Sequence, residues 1–273
     1  MTMRVPLPPS IAEHAERRDR GEVAPTRDAA TVVLLRDGAE GVEAYLMRRQ
    51  RSMSFAAGMY VFPGGGVDPR DSDTDVAWAG PEPQAWAERF GCSTEVARAL
   101  VCAAVRETYE EAGVLLAGPD AGTVVDDTSG ADWQADRQAL EAHTLAFSDF
   151  LRRRSLVLRT DLLAAWTHWI TPDFEPKRFD TRFFVAVMPE GQRVGSLTGE
   201  ADHASWMSLD AALASVEAGD MAMLPPTSVT CRELAALDSA GDALAAAAQR
   251  RIAPIEPRLV EIDGAFYLET ELP

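Results

Sequence analysis

The chain has 273 residues, with 26 Lys and Arg against 43 Asp and Glu, for a formal net charge of −17. At 47% hydrophobic residues it is too apolar for a disordered chain, and its length suits one large domain or two small ones. The acid excess disfavours DNA, RNA and anionic membranes as partners, because phosphate contacts draw on surplus cations. An anionic substrate would therefore need positive charge supplied locally, and a metal ion is the simplest source.

Residues 1–28 are rich in Pro and charge and read as an N-terminal arm. The β-branched run Thr31–Leu35 reads as a buried strand, Asp37-Gly38 as a turn, and Val42–Met47 as the return strand. Gly58–Phe62 leads into Pro63-Gly64-Gly65-Gly66, which reads as a tight loop. A short helix is expected over Pro83–Phe90. A long helix should follow, capped by Ser93 or Thr94, running to Ala112 and ended by Gly113. Residues 118–165 read as mostly helical. Strands are expected over Trp166–Ile170, Arg182–Met188 and Ser205–Met207, then a helix over Leu209–Ala218 capped by Ser208. Cys231–Arg251 reads as a helix, and Arg258–Ile262 and Ala265–Leu268 as closing strands. Strands and helices in this order suggest an α/β (α+β) sandwich, not a regular βαβ series. Cys92, Cys102 and Cys231 have no paired spacing and imply neither a disulfide framework nor a zinc site. With no apolar signal core and no run long enough to span a bilayer, the expected location is cytoplasmic.

The chemistry concentrates in Arg106-Glu107-Thr108-Tyr109-Glu110-Glu111-Ala112-Gly113. At about 100° per residue, Glu107, Glu110 and Glu111 share one helix face. Like charges at these spacings repel in a bare helix, whereas three hard oxygen donors suit Mg²⁺ or Mn²⁺ bridging to substrate phosphates. A plain solvated acidic face is the alternative.

Together with Phe62-Pro63-Gly64-Gly65-Gly66, this stretch resembles the Nudix hydrolase family. Gly65 matches the first glycine of the family box, and Arg106, Glu107, Glu110, Glu111 and Gly113 match its second half. Asp71 stands near the place of the box's first Glu and Thr108 replaces an aliphatic residue. Between Asp71 and Arg106 lie 34 residues where the family pattern has seven. The resemblance implies a Nudix α/β/α sandwich with a mixed sheet, helical insertions at about 72–105 and 118–165, and a C-terminal helical extension. It places the hydrolase domain at 29–220 and the extension, packed on the same domain, at 221–273.

The resemblance further implies a metal-dependent diphosphohydrolase. Glu107, Glu110, Glu111 and Gly65 would be the metal ligands, Arg106 would orient the glutamates, and Glu200 would be a further base or ligand. Arg48–Ser52, Trp169–Pro172, Arg178–Phe184 and the Pro-containing tail are similar to the Nudix branch that contains the peroxisomal coenzyme A diphosphatases. In the coenzyme A signature Arg49 and Gly58 match, while Gln50, Ser54 and Gly66 depart. Arg49, Arg51, Arg178 and Arg182 are the candidate phosphate clamps. The substrate expected is a small coenzyme A-like or other nucleoside-diphosphate-linked molecule. The alternatives are an ADP-ribose or nucleotide-sugar pyrophosphatase and a non-catalytic nucleotide-binding Nudix module. Family habit favours a homodimer.

Overall fold

The computed structural model describes residues 2–7, 15, 23–53, 56–197, 199 and 201–272. In chain order the strands and helices begin with β1 (Thr2–Pro6), β2 (Thr26–Gly38), β3 (Gly41–Arg49), β4 (Tyr60–Val61), β5 (Gly64–Gly66) and β6 (Trp78–Ala79). Next come α1 (Pro83–Phe90), α2 (Thr94–Ala112), β7 (Ala117–Gly118), α3 (Ala131–Glu141), α4 (Phe147–Arg153) and β8 (Val157–Arg159). The central strands continue with β9 (Ala164–Ile170), β10 (Arg178–Val187) and β11 (Ala201–Ser208). The chain closes with α5 (Leu209–Ala218), α6 (Pro225–Ala235), α7 (Ala240–Gln249), β12 (Pro254–Ile255), β13 (Arg258–Ile262) and β14 (Ala265–Glu271).

The principal sheet runs β11-β3-β2-β10-β9-β12, with β4 paired to β3 and β5 to β2. It is mixed, because β10 lies parallel to β2 and β12 parallel to β9 while the other pairs are antiparallel. Side chains along a strand alternate between the two faces. Val32 and Leu34 of β2 accordingly join a core with Leu100, Ala104 and other residues of α2, while Val33 and Leu35 join a second core with Leu209, Leu234 and Ala243 from α5, α6 and α7. Both faces are covered, which is why β2 reads as an unbroken apolar run and not as an alternating one. The result is the α/β/α sandwich with a mixed sheet that the sequence suggested. Among the described residues no helix is long and apolar enough to cross a membrane.

Several local expectations need correction. Thr2–Pro6, read as part of an arm, is a strand paired with β14, where Val5 lies opposite Leu268. The glycine segment is not a free loop, since Gly64–Gly66 pairs with Ala29–Thr31. A Cβ at Gly64 would meet the Ala30 carbonyl at 2.5 Å, so this backbone approach requires glycine. In 118–165 only α3, α4 and a short 3-10 turn at Thr160–Leu162 are helical, and the expected Cys231–Arg251 helix is broken between α6 and α7, where Ser239 caps α7. Ser208 precedes α5 but makes no side-chain cap bond.

The segment 72–105, expected as an insertion, is integrated into the fold. It contains α1 and the first three turns of α2, and it brings Trp86 into the core. Trp86 and Phe90 pack on Phe184 of β10, with ring centroids 5.5 and 5.2 Å away. Phe184 is fully buried and joins the insertion to the sheet. Phe184→Ala is therefore expected to destabilise the protein by about 3–5 kcal/mol, read from the midpoint of a urea titration at unchanged slope.

Candidate active site

Helix α2 is fixed at both ends by local chemistry. The Ser93 side chain accepts the Val96 N–H at 3.2 Å, and Gly113 takes a left-handed φ of 71° that ends the helix. Arg137 of α3 reinforces the C-terminal end. Its guanidinium donates to the carbonyls of Glu110 at 2.8 Å and Glu111 at 3.1 Å, and to that of Ser196 at 3.0 Å. A buried cation against the last carbonyls complements the helix dipole and holds in place the turn that carries the glutamates. Sequence reasoning missed Arg137, because nothing local marks a residue that acts on a helix 27 positions away.

Arg106 is the hub of the site and is 4% exposed. It donates through Nε and Nη2 to Asp71 at 3.1 and 2.9 Å, and through Nη2 to the Gly66 carbonyl at 2.9 Å. Its Nη1 donates to Glu107 at 2.8 Å and to Glu110 at 3.2 Å. Asp71 is itself aimed by a capping box, in which its carboxylate accepts the Asp68 N–H at 2.8 Å. Asp71 therefore stays attached to the box motif across the 34-residue separation. Glu111 takes a different partner and accepts the Gly64 N–H at 2.7 Å. Helix and glycine strand are locked together on both sides.

Burial, and secondarily the Glu110 charge, push the Glu107 carboxyl up to about 7 against the opposing pull of Arg106. Burial likewise raises Glu110 and Asp71. Four carboxylates (Asp71, Glu107, Glu110 and Glu111) thus crowd a largely desolvated region in which Arg106 is the guanidinium that pairs with three of them. Among the described residues no three His, Cys, Asp or Glu side chains converge into a ready-made metal cage. Arg106 and the Gly64 N–H hold the carboxylates apart. The donor set nevertheless fits a hard divalent cation in charge and in chemistry, since it offers several oxygens with negative charge to spare.

Glu107 lines a cavity of about 590 Å³ that begins at Gly64–Gly66 and runs along the face of β2, β10 and β9. Trp169, Phe179, Phe183 and the Leu224–Thr227 segment form much of its wall, and Arg27, Arg49 and Lys177 bring cations to it. Of the expected phosphate clamps only Arg49 lines this cavity. Arg51 is exposed and lies off it. Arg178 pairs with Glu256 at 2.5 Å and donates to the carbonyls of Thr171 and Ala24, both at 3.0 Å. Arg182 pairs with Asp28 at 2.9 Å and Asp180 at 2.7 Å. The physical reason is strand parity. Phe179, Thr181 and Phe183 of β10 face the cavity, so the side chains of Arg178 and Arg182 leave on the other side. Glu200 lies outside the described residues. Arg27 and Lys177 were not foreseen, and their only sequence signal is their place near the start of β2 and just before β10.

The family model for the NUDT19 Nudix domain matches residues 89–234, just over half of the chain. The protein named acyl-coenzyme A diphosphatase NUDT19 from Homo sapiens is 27% identical over 245 residues, covering 75% of this chain and 63% of its own length. Its namesake from Xenopus laevis is 22% identical over 219 residues, covering 67% and 57%. The chain thus spans about three fifths of the length of these curated relatives. The crystal structure of a NUDIX hydrolase from Alicyclobacillus acidocaldarius is 31% identical, with a TM-score of 0.71, covering 82% of this chain and 97% of that one.

Two outcomes follow from the geometry. A Cβ at Gly65 would stand 2.5 Å from Glu107 Oε1, so Gly65→Ala should displace that carboxylate and weaken divalent-ion affinity at least about tenfold, by calorimetry, with little change in melting temperature. The raised Glu107 value also has a sign. Its contribution to the stability of the metal-free protein is fully present below the ordinary value of 4.5 and is lost as pH rises through about 7. Melting temperatures measured in EDTA should fall across that window in the wild type, and fall less in Glu107→Gln.

Proposed function

We propose that this chain, which belongs to the Nudix hydrolase family, hydrolyses the diphosphate bond of a coenzyme A-type substrate with the help of Mg²⁺ or Mn²⁺. One observation carries the reading. Glu107 of α2 and the glycine strand β5, which is tied to Glu111, line one cavity large enough for a nucleoside diphosphate with an attached group. The matches to acyl-coenzyme A diphosphatases support the coenzyme A class. The reading takes 29–220 as the hydrolase domain and 221–273 as an extension of the same unit.

In this mechanism Glu107, Glu110 and Glu111, with the Gly65 carbonyl, would hold the divalent ion. When bound, such an ion acidifies a coordinated water and neutralises charge on the diphosphate. Arg106 sets the positions of Glu107 and Glu110, while the Gly64 N–H sets that of Glu111. Asp71 keeps Arg106 from swinging toward the anionic substrate. Of the three glutamates only Glu107 lines the cavity, so it is the one that presents its carboxylate to the substrate side. The apolar wall excludes bulk water around the reacting group.

Glu110→Gln and Glu111→Gln should each lower turnover by more than about a hundredfold, the scale of losing one electrostatic contact in the transition state, while far-UV circular dichroism stays that of the wild type. The substrate is decided by mass spectrometry of products from a panel run with each metal and with EDTA. Formation of 3′,5′-ADP and 4′-phosphopantetheine from coenzyme A, abolished by EDTA, is the expected result. AMP and ribose 5-phosphate from ADP-ribose, with coenzyme A untouched, would replace the substrate reading. Cleavage of no diphosphate would make the protein a binding module.

A further inference from the structure

Most cations around the site are already engaged. Arg106, Arg178 and Arg182 are tied to carboxylates, and Arg137 to carbonyls. Arg27 and Lys177 differ. Both are exposed at the cavity wall, and among the described residues neither makes an ion pair with a carboxylate, although the chain carries 43 acidic residues. The two belong together. Arg27 lies opposite Phe179 in the β2–β10 register, and the Lys177 ammonium stands 5.4 Å from the centre of the Phe179 ring. Asp28, the neighbour of Arg27 in the cavity lining, is held by Arg182 at 2.9 Å.

The pair is also displaced from the carboxylate end of the cavity. Arg27 precedes Ala30, the residue opposite Gly65, by three positions, about 10 Å along a strand that rises about 3.3 Å per residue. A group held there would stand apart from one placed beside β5. A guanidinium and an ammonium presented together suit a phosphate monoester better than a single-charge carboxylate.

We propose that Arg27 and Lys177 form a second anion subsite that takes a phosphate on the ribose of the substrate, apart from the diphosphate that is cut. The inference rests on the coenzyme A reading of the same cavity and names the residues that separate coenzyme A from substrates lacking the ribose phosphate.

Binding is tested in EDTA, without turnover, by calorimetry of the full chain with adenosine 3′,5′-bisphosphate and with AMP. The wild type should bind the bisphosphate at least about tenfold tighter than AMP, the scale of one or two charge-assisted hydrogen bonds. In Arg27→Gln/Lys177→Gln that advantage should disappear, while Arg232→Gln, which removes an exposed charge on α6, should keep it. With turnover, the ratio of kcat/KM for coenzyme A over dephospho-coenzyme A should fall by a similar factor in the double variant, through KM. Equal affinity for both nucleotides in the wild type overturns the subsite, as does an undiminished advantage in the double variant or an equal loss in Arg232→Gln. A wild type that cleaves ADP-ribose but not coenzyme A, yet binds the bisphosphate through these two residues, overturns the substrate reading and leaves the subsite standing.

Discussion

The site depends on one buried guanidinium. Arg106 gathers Asp71 from the turn after the glycine strand, the Gly66 carbonyl from the strand itself, and Glu107 and Glu110 from its own helix. Taking these charges out of water is expensive, and the contacts repay the cost only when every partner is in place. The ion cluster therefore acts as a registration device between α2 and β5. It also leaves negative charge in excess, which is an unfavourable arrangement for a purely structural cluster and a suitable one for a site that takes up a divalent cation.

This hub explains how a long insertion inside the sequence motif is tolerated. The entropic cost of a longer excursion grows only slowly with its length. The inserted residues moreover do not remain an open loop, since α1 and the early turns of α2 bury Trp86 and Phe90 against Phe184. The capping box at Asp68 and Asp71 closes the departing end, and Arg106 receives it. The motif is interrupted along the chain and continuous in space.

The cavity is assembled from distant parts in the same way. Its carboxylate end comes from α2 and β5, its wall from β9 and β10, and part of its rim from Leu224–Thr227, Pro257 and Leu268 near the end of the chain. The C-terminal segment also fills the second core through α6 and α7 and pairs β12 with β9. The same residues thus stabilise the sheet and shape the space beside it.

What the sequence determined by itself was everything governed by neighbours a few residues apart. The bounds of α2 follow from Ser93 and Gly113, the common face of Glu107, Glu110 and Glu111 follows from helical spacing, and the burial of β2 follows from Thr31–Leu35. Tertiary structure decided which partners those side chains find. Arg106 meets Asp71 across 35 positions and Arg182 meets Asp28 across 154, separations that no local pattern encodes. Strand parity then sent Arg178 and Arg182 into ion pairs and left Arg27 on the cavity wall, where Lys177, just before β10, joins it. A residue's type states what it can bind, but the pleat of the sheet and the register between strands decide which side of the wall it stands on.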